Sequence, residues 1–169
     1  MSNNQSLKTL ATKANLLYVV AFGLGLFHLL VAAGMLNIST MPMRLTHILL
    51  AFSLLFAMKP VSKRLAGTRF NAALSVTLIV AVIIASLWLI SRWKEIAFSG
   101  GETETADFYA GAVIIALVFE AARRGIGLVL ASITLLFFSY PFLSPYLPGV
   151  LSGRGYSFER IVTFLTTNT

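Results

Sequence analysis

An all-α membrane protein, a bundle of about five transmembrane helices, is the fold class this sequence predicts. Three observations predict it. Apolar residues make up 57% of the 169-residue chain. Charged residues make up only 11%, against about a quarter in a soluble domain. The apolar residues also gather into long runs, separated by short stretches that carry the basic residues, Pro and Gly. A water-soluble fold of this size has too little interior to hide so much apolar surface, whereas lipid solvates it.

The first run, 16–36, is long enough to cross a bilayer core of about 30 Å and is punctuated by Gly23, Gly25 and Gly34. The polar segment before it, Met1 to Lys13, is too polar for the apolar core of a cleaved signal. The first run therefore reads as a retained helix. Asn37 to Met43, with Pro42, reads as a loop of breakers. The second run, 45–58, is short and needs Arg44 and Lys59 to snorkel. Pro60 ends it, and Lys59, Lys63, Arg64 and Arg69 form a basic loop.

The third run, 72–90, is rich in β-branched residues. A run this long is a spanning helix all the same, because a lone strand cannot satisfy its backbone in lipid. Ser91 to Asp107 reads as the long polar loop, with Trp93 as an interfacial anchor and Glu95, Glu102, Glu104 and Asp107 as its acids. Glu102, Glu104 and Asp107, with threonines between them, read as a solvated face rather than a cation site. The fourth and fifth runs are 108–122 and 125–142. Fusing them would put Glu120, Arg123 and Arg124 near mid-bilayer, at about 2.5 to 3.5 kcal/mol per charge. Two helices with a turn at Arg123, Arg124 and Gly125 are predicted instead. Residues 1–143 thus form one helical domain. Residues 144–169 form an irregular junction after Pro141, Pro145 and Pro148, followed by a helix from Phe158 to Thr167 with Ser157 as its N-cap.

The net charge of +7 could suggest nucleic acid. The basic residues lie between apolar runs rather than on one stripe, which is juxtamembrane anchoring to lipid and excludes a nucleic-acid face. A cytoplasmic N-terminus puts eight basic residues inside and five outside, the outer Arg92 and Lys94 standing beside four acids. The chain has no cysteine, and no nucleophile–base pair, metal-ligand cluster or phosphate loop is present. Catalysis and a bound cofactor are therefore not expected.

Two histidines and one charged cluster are the candidates for special roles. His28 lies in the first apolar run. It reads as either a proton-coupling group or a neutral residue bonded to a neighbouring helix, and the absence of a carboxylate at its depth favours the second. His47, near the end of its run, reads as interfacial. Glu120 stands three and four residues before Arg123 and Arg124, so all three share one helical face. That cluster reads as a charge-paired turn contacting lipid head groups or a partner, with anion binding as the functional alternative.

The run Phe119-Glu120-Ala121-Ala122-Arg123-Arg124-Gly125-Ile126-Gly127 resembles the EAARR segment of tripartite ATP-independent periplasmic (TRAP) transporters, in particular the fused permeases that work with TAXI-type binding proteins. The tail adds to the resemblance. Tyr140, Pro145-Tyr146-Leu147-Pro148-Gly149 and Arg154-Gly155-Tyr156-Ser157 are similar to the junction between the small and large membrane domains of that family. The resemblance covers residues 108–163; before it, only hydropathy and helix number agree.

The resemblance implies a four-helix small-subunit core plus a connecting helix, in the cytoplasmic membrane of a bacterium or archaeon. It implies a large membrane subunit and a periplasmic TAXI-type binding protein as partners, and sodium-driven uptake of an organic acid. Sodium and substrate would bind the large subunit. This chain would be a scaffold, either a separate subunit or the first part of a fused permease, with Pro148, Gly149, Gly155 and Tyr156 at the partner junction. Two rivals are the small subunit of a tripartite tricarboxylate transporter and an autonomous small transporter using His28 or Glu120.

Overall fold

A computed structural model describes residues 2–99 and 102–167; for residues 2–14 and 16 it describes the backbone alone. Lys8 and Lys13, counted above toward the cytoplasmic side, fall in that backbone-only segment. Among the described residues every regular element is helical: α1 (Ser2–Ala32), α2 (Thr40–Met58), α3 (Arg69–Phe98), α4 (Thr105–Gly125), α5 (Leu128–Leu143) and α6 (Phe158–Thr167). Short 3-10 turns follow α2 and α5. Four stretches are long and apolar enough to span a membrane: α2, α3, α4, and α5 with the turn after it. The described apolar part of α1, Leu17–Ala32, is shorter.

The first run ends earlier than its hydropathy suggests, because backbone geometry stops it. Gly34 has φ +71°, Met35 N–H donates to the Leu30 carbonyl and Gly34 N–H to the Val31 carbonyl. This is the Schellman arrangement, in which glycine takes the left-handed position that other residues resist. The second helix begins earlier than expected. Pro42 is not a breaker here: it sits in the first turn of α2, where its missing N–H has no intrahelical acceptor to lose.

The largest correction concerns the predicted loop from Ser91 to Asp107. Helix α3 continues to Phe98, and α4 starts at Thr105. Thirty residues make α3 about 45 Å long, so it extends beyond a hydrocarbon core of about 30 Å. Hydropathy sees only the buried part; the polar turns are held by the contacts described below. Likewise α5 runs through Pro141 to Leu143 rather than breaking at the proline.

The core lies between α2, α3 and α4. Met41, Leu45 and Phe56 of α2 meet Val82, Ala85, Leu89 and Ile96 of α3 and Ile114, Leu117 and Ala121 of α4. Helices α1 and α5 flank this trio, packing on α2 and α4 respectively. Helix α5 buries none of its residues. Helix α6 folds back onto α4, burying Ile161 and Val162, and Ser157 Oγ accepts from Arg160 N–H at its start.

Gly111 permits that fold-back. A Cβ there would stand 2.6 Å from Thr166 Oγ1 and 3.0 Å from a Val162 methyl. Gly111→Val should therefore lift α6 off α4, at about 1 to 3 kcal/mol of overpacking. A cysteine replacing the buried Val162 should resist a thiol reagent in the parent protein and react in the Gly111→Val background. Equal reactivity in both would show that Gly111 does not govern the contact.

Candidate functional site

The succession of antiparallel helices sorts the charges onto two ends of the bundle. One end carries the start of α1, the α2–α3 connection and the α4–α5 turn. Its basic residues are Lys8, Lys13, Lys59, Lys63, Arg64, Arg69, Arg123 and Arg124, and its one acid is Glu120. The other end carries five basic residues (Arg44, Arg92, Lys94, Arg154, Arg160) and five acids (Glu95, Glu102, Glu104, Asp107, Glu159). The net positive charge thus sits entirely at the first, basic end. The second is a mixed end.

At the basic end, Glu120 joins both arginines. Arg123 forms a fork: its Nε donates to Glu120 Oε2 at 2.8 Å and its Nη2 to Oε1 at 2.8 Å. Arg124 Nε donates to Glu120 Oε1 at 2.6 Å. The helical spacing makes this possible; the guanidinium reach then carries the cluster across to other elements. Arg123 Nη1 donates to the Val61 carbonyl at 3.0 Å. Arg124 Nη1 donates to the Lys59 carbonyl and to Ser75 Oγ, each at 3.2 Å.

The Arg124 side chain is fully buried, while Glu120 keeps 24% exposure. Its guanidinium lies 5.1 Å from the ring centroid of Phe56, and its Nη2 has no hydrogen-bond partner. The ring face is the remaining attraction for that group. The Lys59 carbonyl it reaches belongs to chain leaving α2, where the last carbonyls of a helix lack intrahelical donors. Arg124 therefore closes the end of α2, braces Ser75 of α3 and belongs to α4, so one side chain ties all three core helices.

A second cluster lies at the mixed end, and sequence reasoning missed it. Asp107, read as part of a solvated loop, is fully buried. Its Oδ1 accepts from Trp88 Nε1 and from Arg92 Nε, both at 2.9 Å. Its Oδ2 accepts from Glu104 N–H at 3.0 Å, completing a capping box at the start of α4. Arg92 also reaches Glu95 and Glu104 at 2.8 Å each. The Glu104–Asp107 spacing carried the capping-box signal. Arg92 fifteen residues earlier carried none, since hydropathy put it in a loop. Trp93 packs against the core edge, with Lys94 Nζ 5.9 Å from its ring.

His28 hydrogen-bonds to His47 across α1 and α2. The two rings stack with centroids 4.7 Å apart and planes 14° from parallel. His47 thus lies seven residues inside α2, against α1. A Cβ at Gly23 or Gly25 of the first run would meet nothing within 4 Å, so neither glycine marks a close helix approach. Among the described residues no group of three or more His, Cys, Asp or Glu is placed to hold a metal ion.

The tail is built rather than loose. Gly153 N–H donates to the Ser144 carbonyl and Tyr156 N–H to the Pro141 carbonyl. Tyr140 OH donates to the Leu151 carbonyl at 3.1 Å. Pro148 precedes a 3-10 turn opened by Gly149. Gly155 has φ +71°, and a Cβ there would collide with Pro145. These bonds fold 144–157 over the end of α5 and set the direction of α6. Comparisons with protein-family models, curated proteins and solved structures gave no match.

Glu120→Ala should be far more damaging than Arg123→Ala. The first leaves Arg124 buried without its carboxylate, at about 3 kcal/mol or more. The second removes a half-exposed partner and should cost about 1 kcal/mol or less. Thermal unfolding of the detergent-solubilised protein reads both; equal losses would place the energetic centre elsewhere.

Proposed function

We propose that this chain is the small, non-conducting membrane scaffold of a TAXI-type TRAP transporter, working with a large membrane subunit and a periplasmic binding protein. The observation that carries the scaffold reading is the fate of its charges. Every residue of the two central ionic clusters is bonded within the bundle at a helix end. Apolar side chains fill most of the core between them, with Ser86 of α3 as a fully buried hydroxyl among them. A secondary transporter usually places polar groups on broken helices at mid-depth, and α2, α3 and α4 are continuous.

The TRAP assignment is supported by the resemblance over residues 108–163, and the resembling residues are the ones with structural tasks here. Glu120, Arg123 and Arg124 tie three helices. Gly155 and Tyr156 shape the turn into α6. Outward, α3 presents Val76, Val80, Ile84 and Leu87 as one exposed apolar stripe at helical spacing. On this reading that stripe fixes the scaffold against lipid or the large subunit, while the large subunit carries sodium and an organic acid. The uneven charge of the two ends supports a cytoplasmic basic end and a cytoplasmic N-terminus, in the cytoplasmic membrane of a bacterium or archaeon.

Two measurements test this. Ser62→Cys should be shielded from an impermeant thiol reagent in intact cells and Thr103→Cys accessible; equal labelling would overturn the orientation. Co-expression with a large TRAP subunit should give a one-to-one complex that takes up substrate in liposomes with binding protein and a sodium gradient. Arg124→Glu should lower complex yield before it changes substrate preference. Full-rate transport by the large subunit alone, or by this chain alone, would contradict the scaffold role.

A further inference from the structure

Helices α5 and α6 enclose a lateral groove of about 760 Å³ that neither the core nor the scaffold role uses. Its walls are Ile133, Phe137 and Pro141 from α5, and Arg160, Phe164 and Leu165 from α6. We propose that this groove is a binding site for one anionic phospholipid, with an acyl chain along α5 and the phosphate on Arg160.

The groove has the polarity of a lipid along its length. Pro141 lies at the mixed end of α5, and Ile133 lies eight residues deeper, about 12 Å along the helix. The deep part is apolar, since the Thr134 hydroxyl that lines it is already bonded to the Leu130 carbonyl. At the mouth stand Tyr156 and Arg160, the guanidinium 5.7 Å from the tyrosine ring centroid. Tyr140 and Tyr146 stand at the same end of α5, the level at which aromatic residues meet head groups.

Charge decides the occupant. No described carboxylate pairs with Arg160, whereas Arg92, Arg123 and Arg124 are all paired. A lone cation above an apolar slot suits a phosphate on an acyl chain. An apolar helix of a partner would cover that charge without answering it. A second, smaller groove shares Thr134, Phe138 and Leu165 with the first and continues toward Met41, Arg44 and Leu45 of α2. Helix α6 is held in place by Gly111 and by the edge-to-face ring contact of Phe158 with Phe108, so the slot is preformed.

The test is native mass spectrometry of the full chain in detergent, with equal phosphatidylglycerol and phosphatidylcholine added. The parent protein should retain phosphatidylglycerol about fivefold over phosphatidylcholine, the ratio one arginine contributes near a charged head group. Arg160→Gln should remove that preference, and Arg154→Gln, which takes the same charge from the exposed tail, should keep it. Equal retention of both lipids, or the same effect from both variants, would overturn the site. A photo-crosslinking amino acid in place of Phe164, 62% exposed beside the groove, should capture lipid in native membranes. Capture of a second polypeptide there would make the groove a helix seat and overturn the proposal. Neither readout depends on the chain's belonging to a transporter.

Discussion

Arg124 is the residue on which the rest of the bundle turns. A guanidinium with no exposed side-chain surface has left water altogether, and its desolvation is tolerable only if fixed partners replace the lost hydration. Glu120, the Lys59 carbonyl, Ser75 and the face of Phe56 are those partners. They come from α4, the α2–α3 connection, α3 and α2. Satisfying one cation therefore sets the position of the three core helices at one end, something a purely aliphatic contact, being non-directional, does not do.

The mixed end repeats the device with the signs exchanged. There a carboxylate, Asp107, is fully buried, and Trp88, Arg92 and the Glu104 amide hydrogen-bond to it. Helix α4 carries both buried ions, one in its first turn and one in its last. The acid at its N-terminus and the bases at its C-terminus also suit the helix dipole. Between these pinned ends α2, α3 and α4 pack mainly through apolar side chains, with Ser86 buried among them. The flanking helices α1 and α5 have no ionic pin in the described contacts and present most of their surface outward.

Much of this was legible in the chain. The apolar runs located the spanning helices, because a membrane demands about 20 residues of them. The three- and four-residue spacing of Glu120, Arg123 and Arg124 placed them on one face. What spacing could not show is where the guanidinium groups go after meeting Glu120, since Val61, Lys59 and Ser75 lie about fifty to sixty-five residues away and two of them offer only backbone. Asp107 was misread for a related reason. A Thr-rich acidic stretch looks solvated until Arg92 and Trp88 are known to face it, and they face it only because α3 outruns its own hydropathy. Gly111 gave no repeat signal either; its partner Thr166 lies on a short helix that follows an irregular tail.

If Arg124 organises the bundle, Glu120 and Arg124 must act as one buried unit. A double-mutant cycle with Glu120→Gln and Arg124→Gln, read by reversible unfolding in detergent, measures this directly. The structure predicts that the double variant loses less stability than the two single losses together, by about 1 kcal/mol or more, since each single variant strands a partner that the double variant does not. Losses that add within about 0.5 kcal/mol would mean that the two residues act independently and that Arg124 does not organise the bundle through Glu120.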